Sequence, residues 1–367
     1  MVECLRRWWR DHRITVYGWE GTRQLFDYQN LHDVEHVLWP SAQFQRAGFP
    51  ALFAAQTIVG CRQARRLKLT EQNRNIIVSS SDFPPDSLAA LAIKRRYPRV
   101  PWVAAFYLFS PKMRDVIAGK PGPGLRFAAY RPLQQFILRR LLRRADLILA
   151  TGEEDRERLI ALGRAPQSVF AVRGGVDLSI PRSVPEPAKK IYDAVFIGRF
   201  HPQKGVRELL RVWQLVRQQR PSARLAMIGI GPLADELQQL RHALQLDDAV
   251  EFLGFRDGVE KYKIVKASRI VVHPAVYDSG GMAPAEALAC GLPGVAFDLP
   301  SLRTYYPKGF LKAELGDLPG FAAHLLRLLS DETLYRAMSV EAEAVGREWD
   351  WDIRAAELLA AIEKVVV

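Results

Sequence analysis

The 367-residue sequence predicts an α/β protein made of two doubly wound domains, on three observations: short apolar runs alternate with helical patterns, a proline-rich stretch interrupts them, and the alternation then restarts. In the first half, Ile14–Gly18, His36–Trp39, Asn75–Ser79, Trp102–Leu108, Asp146–Ala150 and Val169–Val172 read as buried strands. Stretches with helical spacing, such as Phe53–Leu69 and Leu125–Arg144, separate them. The segment from about Ser179 to Lys190, SIPRSVPEPAKK, has three prolines and little apolar content and reads as an interdomain linker. Beyond it, Tyr192–Ile197, Arg224–Ile228, Val250–Leu253, Ile270–Val272 and Gly294–Phe297 read as strands. Val206–Gln219, Pro232–Leu246, Val259–Ala267 and Pro284–Cys290 read as the helices between them. The expected domains are residues 1–180, residues 181–340 and a helical tail, 341–367, packing back toward the first domain. In a doubly wound sheet, ligands bind at the carboxyl ends of the strands where the strand order reverses.

With 49% hydrophobic and 25% charged residues, the chain can bury full cores, and its composition is not that of a disordered or collagenous protein. Cys4, Cys61 and Cys290 are odd in number and far apart, which excludes a disulfide framework and a CxxC-type zinc site, and points to a reducing, cytoplasmic setting. The N-terminus, MVECLRRWWRDHR, has no apolar signal region, and no apolar run is long enough to span a bilayer.

The formal net charge is +12, and it is unevenly placed. Residues 1–180 carry 28 Lys and Arg against 16 Asp and Glu, whereas residues 181–367 carry 24 of each. Such asymmetry points to an anionic partner, either lipid headgroups or nucleic acid. Within the basic half, the segment from Arg126 to Arg144 mixes aromatics and leucines with Arg131, Arg139, Arg140 and Arg143. It reads either as a basic amphipathic face for anionic lipid or as a core helix with a solvated arginine face. No recognisable nucleic-acid motif accompanies the charge.

Two clusters in the second half carry chemistry. In Phe196-Ile-Gly-Arg-Phe-His-Pro-Gln-Lys-Gly205, a strand ends at Gly198, and Arg199 and Lys204 follow in a loop before a helix, where two cations can converge on a diphosphate. The same residue types also describe a solvated basic loop. In Tyr277-Asp-Ser-Gly-Gly-Met-Ala-Pro-Ala-Glu286, Gly280 and Gly281 let backbone N–H groups approach a ligand, and Pro284 opens a short helix. Asp278 and Glu286 bracket this turn and suit hydrogen bonds from sugar and ribose hydroxyls; the bland alternatives are a turn residue and an acid at a helix dipole. Seven histidines are scattered without ligand spacing, and His201 and His273, beside these clusters, read as structural.

From about Val169 to Pro300 the chain resembles the retaining glycosyltransferases of family four, which have the GT-B architecture of two Rossmann-like domains facing a central cleft. The motifs occur in order: Gly174-Gly-Val-Asp177, Gly198-Arg199 with Lys204-Gly205, Gly229-Ile-Gly-Pro232, Phe252-Leu-Gly-Phe255, and an acid-x7-Glu segment followed by Ala-Leu-Ala-Cys-Gly-Leu-Pro. The resemblance implies a nucleotide-diphosphate sugar donor and retention at the anomeric carbon, with no metal ion and no cofactor. It implies that Arg199 and Lys204 grip the diphosphate, that Glu286 holds the ribose, and that Asp278 with the backbone of Ser279, Gly280, Gly281, Met282 and Ala283 holds the sugar. Gly198 would line the diphosphate and the backbone of Phe255 the base. Asp278 departs from the family's usual Glu. Replacing Arg199 or Lys204 is expected to reduce turnover with little change in stability.

The first half resembles the family's acceptor domain more weakly. Val2-Glu-Cys-Leu-Arg-Arg-Trp-Trp-Arg reads as a helix leading straight into strand Ile14–Gly18, so the family's opening strand and glycine loop are expected to be absent, through a misassigned start or an incomplete sheet. Where members often carry a histidine near the donor sugar, this chain offers Tyr107, which reads equally as a core aromatic. The expected function is transfer of a hexose from a UDP- or GDP-sugar to a glycan or lipid-linked acceptor, by a cytoplasmic enzyme in peripheral contact with the inner membrane face. A donor-binding but inactive scaffold and a nucleic-acid-binding protein are the alternatives.

Overall fold

A strand with no polar residue needs cover on both faces, and Trp102–Phe106 and Leu147–Ala150 are buried at every position. They are the central strands of the first of two units into which the chain divides in a computed structural model. The first unit comprises Met1–Arg173 and Arg354–Val367, the second Gly174–Ile353. The structure describes residues 1–41, 48–70, 74–107, 109–110, 113–117, 125–278 and 280–365, apart from the side chains of 115–116 and 125–128.

The first unit runs α1 (Val2–Trp8), β1 (Thr15–Gly18), α2 (Glu20–Tyr28), β2 (Glu35–Leu38), α3 (Phe49–Arg66), β3 (Ile77–Ser79), α4 (Pro84–Arg96), β4 (Trp102–Phe106), α5 (Met113–Ile117), α6 (Leu125–Arg144), β5 (Leu147–Ala150), α7 (Glu153–Ala161) and β6 (Val169–Ala171). Prolines stand in the first turns of α3 and α4, where their missing N–H groups leave no helical bond unmade. All strand pairs are parallel, but they form two separate sheets: β1 pairs with β2, and β3-β4-β5-β6 make a second sheet. Among the described residues no ladder joins the two. Ile137, Leu138 and Leu141 of α6 are buried in the core around β4, and Leu133, Phe136, Arg139, Arg143 and Arg144 are exposed on its other face. The Arg140 guanidinium lies 3.2 Å from the centroid of the Phe136 ring.

The second unit runs α8 (Ser179–Ser183), β7 (Tyr192–Ile197), α9 (Val206–Gln219), β8 (Leu225–Ile228), α10 (Ala234–Ala243), β9 (Val250–Gly254), α11 (Gly258–Lys266), β10 (Ser268–His273), α12 (Met282–Leu288), β11 (Gly294–Phe297), α13 (Pro300–Tyr305), β12 (Phe310–Ala313), α14 (Leu318–Ser330), α15 (Glu332–Glu348) and the start of α16 (Trp351–Glu363). Six parallel strands lie in the order β12-β11-β10-β7-β8-β9. The order reverses beside β7, so the loops after β7 and β10 leave the sheet as neighbours. Alternate residues serve opposite cores. Phe196 and Met227 join Trp213 of α9 and Phe321 of α14 on one face, and Val195 and Ala226 join Leu288 of α12 on the other.

Three expectations are corrected here. The proline-rich segment is not a free linker. Leu178 and Val184 are buried in the second unit's core, and Lys266 donates to the Val184 carbonyl at 2.6 Å while pairing with Glu186 at 2.9 Å. The division falls earlier, between Arg173 and Gly174, because the Val176 amide is tied to the Trp349 carbonyl within the second unit. At the other end, the residues from 341 to 353 belong to the second unit, where Gly346 packs against Leu288 and Ala289. The chain rejoins the first unit at Arg354, and the Trp8 indole donates to the Ala355 carbonyl at 3.2 Å. Strand β12 is an additional element. It is a four-residue edge strand, Phe-Leu-Lys-Ala, with only its end residues buried, too short and too mixed to show a period.

Candidate functional site

The loops that follow β7 and β10 are pressed together by backbone. Gly205 sits at φ +62, and a Cβ there would lie 1.8 Å from the Pro274 carbonyl oxygen, so only glycine permits this approach. The Val276 N–H donates to the Gln203 carbonyl at 3.1 Å, a second link between the loops. Gly229, after β8, closes on Gly198 in the same way, its Cβ position 1.9 Å from the Gly198 oxygen. The Gly198-Arg199, Lys204-Gly205 and Gly229-Ile-Gly-Pro232 motifs, well separated in the chain, thus form one surface at the carboxyl end of the sheet.

Within this surface, Lys204 Nζ donates to Asp278 Oδ2 at 2.6 Å, and His273 Nε2 lies 3.1 Å from the same oxygen. Oδ1 accepts the Gly280 and Gly281 N–H groups at 3.1 and 2.6 Å, and Ser301 Oγ donates to the Asp278 carbonyl at 2.7 Å. The Asp278 side chain is 3% exposed and that of Lys204 20%. Burial alone would raise the Asp278 pKa, but the His273 and Lys204 contacts outweigh it and hold the carboxyl well below the ordinary range.

This corrects two expectations. The Gly280 and Gly281 N–H groups do not point to a ligand, because the short aspartate side chain folds back and takes both. Lys204 is not a loose loop cation, because it neutralises a buried acid. Arg199 differs: it is exposed, and among the described residues no carboxylate pairs with it.

Glu286 lies one turn into α12. Its Oε1 receives Lys261 Nζ of α11 at 3.1 Å, and Lys261 also donates to Asp257 Oδ1 at 2.8 Å. Burial raises the Glu286 pKa above its ordinary value against the opposing pull of Lys261. Asp278 and Glu286 therefore have separate cationic partners and make no contact with each other. Met282 and Ala283 open α12, and the Met282 sulfur packs on Gly174, which brings the Gly174–Asp177 turn to the same helix. Tyr306 donates its hydroxyl to the Gly281 carbonyl at 2.7 Å, and the Tyr305 ring covers Gly280. Phe255 is 64% exposed just past β9, and its carbonyl accepts from Arg256 at 3.0 Å. Ser279 lies outside the described residues.

Tyr107 belongs to the first unit, where its backbone hydrogen-bonds the buried Asp82 carboxylate, and burial pushes its phenol up to about 12. His201 accepts the Gln203 N–H at its own turn. Lys261, Ser301, Tyr305 and Tyr306 were not marked by any motif. Lys261 is one of three lysines in a predicted helix, and only the fold selects it. Among the described residues no group of three or more His, Cys, Asp or Glu is placed to hold a metal ion, and no helix is long and apolar enough to cross a membrane.

Two α/β units of parallel strands match the GT-B architecture. Residues 1–175 match the family described as Glycosyl transferase 4-like domain, and residues 180–345 match Glycosyl transferases group 1. The chain belongs to the GT-B glycosyltransferases of the family-four type. Among its curated relatives, the O-antigen chain mannosyltransferase B of Escherichia coli is 27% identical over 220 residues, 57% of this chain and 58% of that protein. The D-inositol 3-phosphate glycosyltransferase of Thermobispora bispora is 31% identical over 238 residues, 58% of this chain and 55% of that one. The matched stretch thus spans a little over half the length of these two relatives. The solved structure of HepE from Anabaena in complex with UDP shares the fold with a TM-score of 0.72 at 16% identity, covering 99% of this chain and 96% of that one.

Proposed function

We propose that this protein is a retaining glycosyltransferase that moves a hexose from a UDP- or GDP-sugar to a glycan or lipid-linked acceptor without a metal ion or cofactor. The observation that carries the reading is the convergence of Gly198, Arg199, Lys204 and α12 at the switch point of the six-stranded sheet. Arg199 and Lys204 would hold the donor diphosphate and stabilise the charge on the departing nucleotide, a task of positioned cations. Glu286 would accept hydrogen bonds from the ribose, and Phe255 and the exposed Ile230 offer apolar surface to the base. The first turn of α12, at Met282 and Ala283, would face the sugar. Asp278, with both oxygens engaged, would contribute by holding Lys204. That HepE was solved with UDP supports a nucleotide donor.

Thermal unfolding with UDP, GDP and ADP, with and without magnesium, tests the donor. Stabilisation by none of them would overturn the reading, and binding without donor consumption would identify an inactive scaffold.

The outer face of α6 supports a peripheral contact with an anionic membrane surface at the cytoplasmic side. Leu133 and Phe136 are apolar and exposed there among Arg139, Arg143 and Arg144, and the sequence between Asp115 and Asp146 holds no acidic residue. Co-sedimentation with phosphatidylglycerol vesicles but not phosphatidylcholine vesicles is the expected result. Retention by RNA or DNA instead would favour the nucleic-acid alternative.

A further inference from the structure

We propose that Lys261, anchored by Asp257, is a positioning residue that orients the Glu286 carboxylate toward the ribose of a bound nucleoside diphosphate. The inference rests on the reading of Glu286 as the ribose ligand. Lys261 is 11% exposed and Glu286 21%, so the pair is largely shielded, while Asp257 at the start of α11 is mostly in solvent. An ammonium with three protons spans both acids, at 2.8 Å to Asp257 Oδ1 and 3.1 Å to Glu286 Oε1. Among the described residues no hydrogen bond reaches Glu286 Oε2. The lysine thus takes one oxygen, fixes the side-chain rotamer and leaves the other oxygen to accept from a ligand hydroxyl.

The charged and titratable groups that face Glu286 are few. From α11 come Lys261 and Tyr262, with Asp257 at its start; Cys290 lies just past α12, and Tyr306 just past α13. Burial pushes Cys290 up to about 12 and raises both tyrosines above their ordinary values, so these three stay neutral near pH 7. Burial works against the Lys261 charge, but Glu286 and Asp257 outweigh it, and Lys261 stays protonated. Lys261 is thus the sole cation in this set opposing the burial that raises Glu286. Without it the carboxyl shifts further upward, and a protonated Glu286 accepts a hydroxyl proton less well.

The test is calorimetric titration of the full chain with UDP and with GDP between pH 6 and 8.5, using whichever binds the wild type. Lys261→Met is expected to weaken binding about tenfold relative to the wild type at pH 6.5, and the ratio of the two affinities, in which the titration of the ligand's own phosphate cancels, is expected to recover in part as pH rises. Lys261→Arg, which keeps the charge, is expected to bind within about threefold of wild type. In a Glu286→Gln background, Lys261→Met is expected to change affinity less than twofold, because its effect runs through the carboxylate. If Lys261→Met does not fold by circular dichroism, Lys261→Gln takes its place with the same expectations. Wild-type affinity and pH profile in the Lys261 variant, or an equal loss with and without Glu286, would overturn the inference while leaving the ribose reading in place. Wild-type affinity of Glu286→Gln would overturn the ribose reading itself.

Discussion

Replacing Asp278 by Asn removes one negative charge and leaves the shape almost unchanged, so its cost measures the electrostatics of the site. The carboxylate makes four contacts: Lys204 at 2.6 Å, His273 at 3.1 Å, and the Gly280 and Gly281 N–H groups. The amide oxygen of Asn can keep the two N–H bonds, but its NH2 group then faces the Lys204 ammonium. Breaking a buried pair costs about 3–5 kcal/mol. Lys204 remains one-fifth exposed and can recover some hydration, which places Asp278→Asn near the lower end, at about 3 kcal/mol. For a unit of this size that is a fall of roughly 6–12 °C in the unfolding midpoint. Urea and thermal unfolding at pH 7 are the assays. Lys204→Met should cost a similar amount by stranding the carboxylate, and the double variant should cost less than the two added together.

The pH dependence follows from the direction of the shift. Because Asp278 titrates below its unfolded value of about 3.9, its contribution is complete above that pH and is lost as pH falls through the folded value. The difference between wild type and Asp278→Asn should therefore shrink as pH falls below about 4. A cost under about 1 kcal/mol at pH 7, or additive single variants, would refute the assignment of a coupled buried pair.

Arg199→Ala should reduce donor turnover by tens to thousands of fold, about 2–4 kcal/mol of transition-state stabilisation, with an unchanged unfolding midpoint, since Arg199 is exposed. Steady-state donor consumption beside thermal unfolding separates the two effects. Gly205→Ala should destabilise by about 3 kcal/mol, combining a left-handed backbone at φ +62 with a Cβ driven into the Pro274 carbonyl, and should weaken nucleoside diphosphate binding as the two loops part. Arg139→Glu with Arg143→Glu should abolish sedimentation with anionic vesicles and leave UDP or GDP affinity as in the wild type. Wild-type vesicle binding of that variant would place the contact elsewhere.

The parallel-sheet grammar was legible because a strand covered on both faces must be apolar throughout. β4, β5, β8 and β11 all declare themselves in this way, and α9 matches its expected bounds, Val206–Gln219. The proline-rich stretch misled for a related reason. Prolines and lysines look like linker composition, yet buried Val184, its neighbour Leu178 just before the stretch, and the contacts of Lys266 with the Val184 carbonyl and Glu186 dock it. Edge strand β12 carries no comparable burial constraint and left no pattern to read.

For the site, the sequence by itself determined which loops carry chemistry, since glycines next to cations and acids at strand ends are visible as residue types in order. Only the tertiary structure decided the partnerships. Lys204 and Asp278 are 74 positions apart and Lys261 and Glu286 are 25 apart, and no local period links either pair. Whether Asp278 faces a sugar or turns onto its own loop depends on one methylene of reach and on where β10 places His273. These are distances of a few ångströms, fixed by the packing of parallel strands whose order in the sheet differs from their order in the chain.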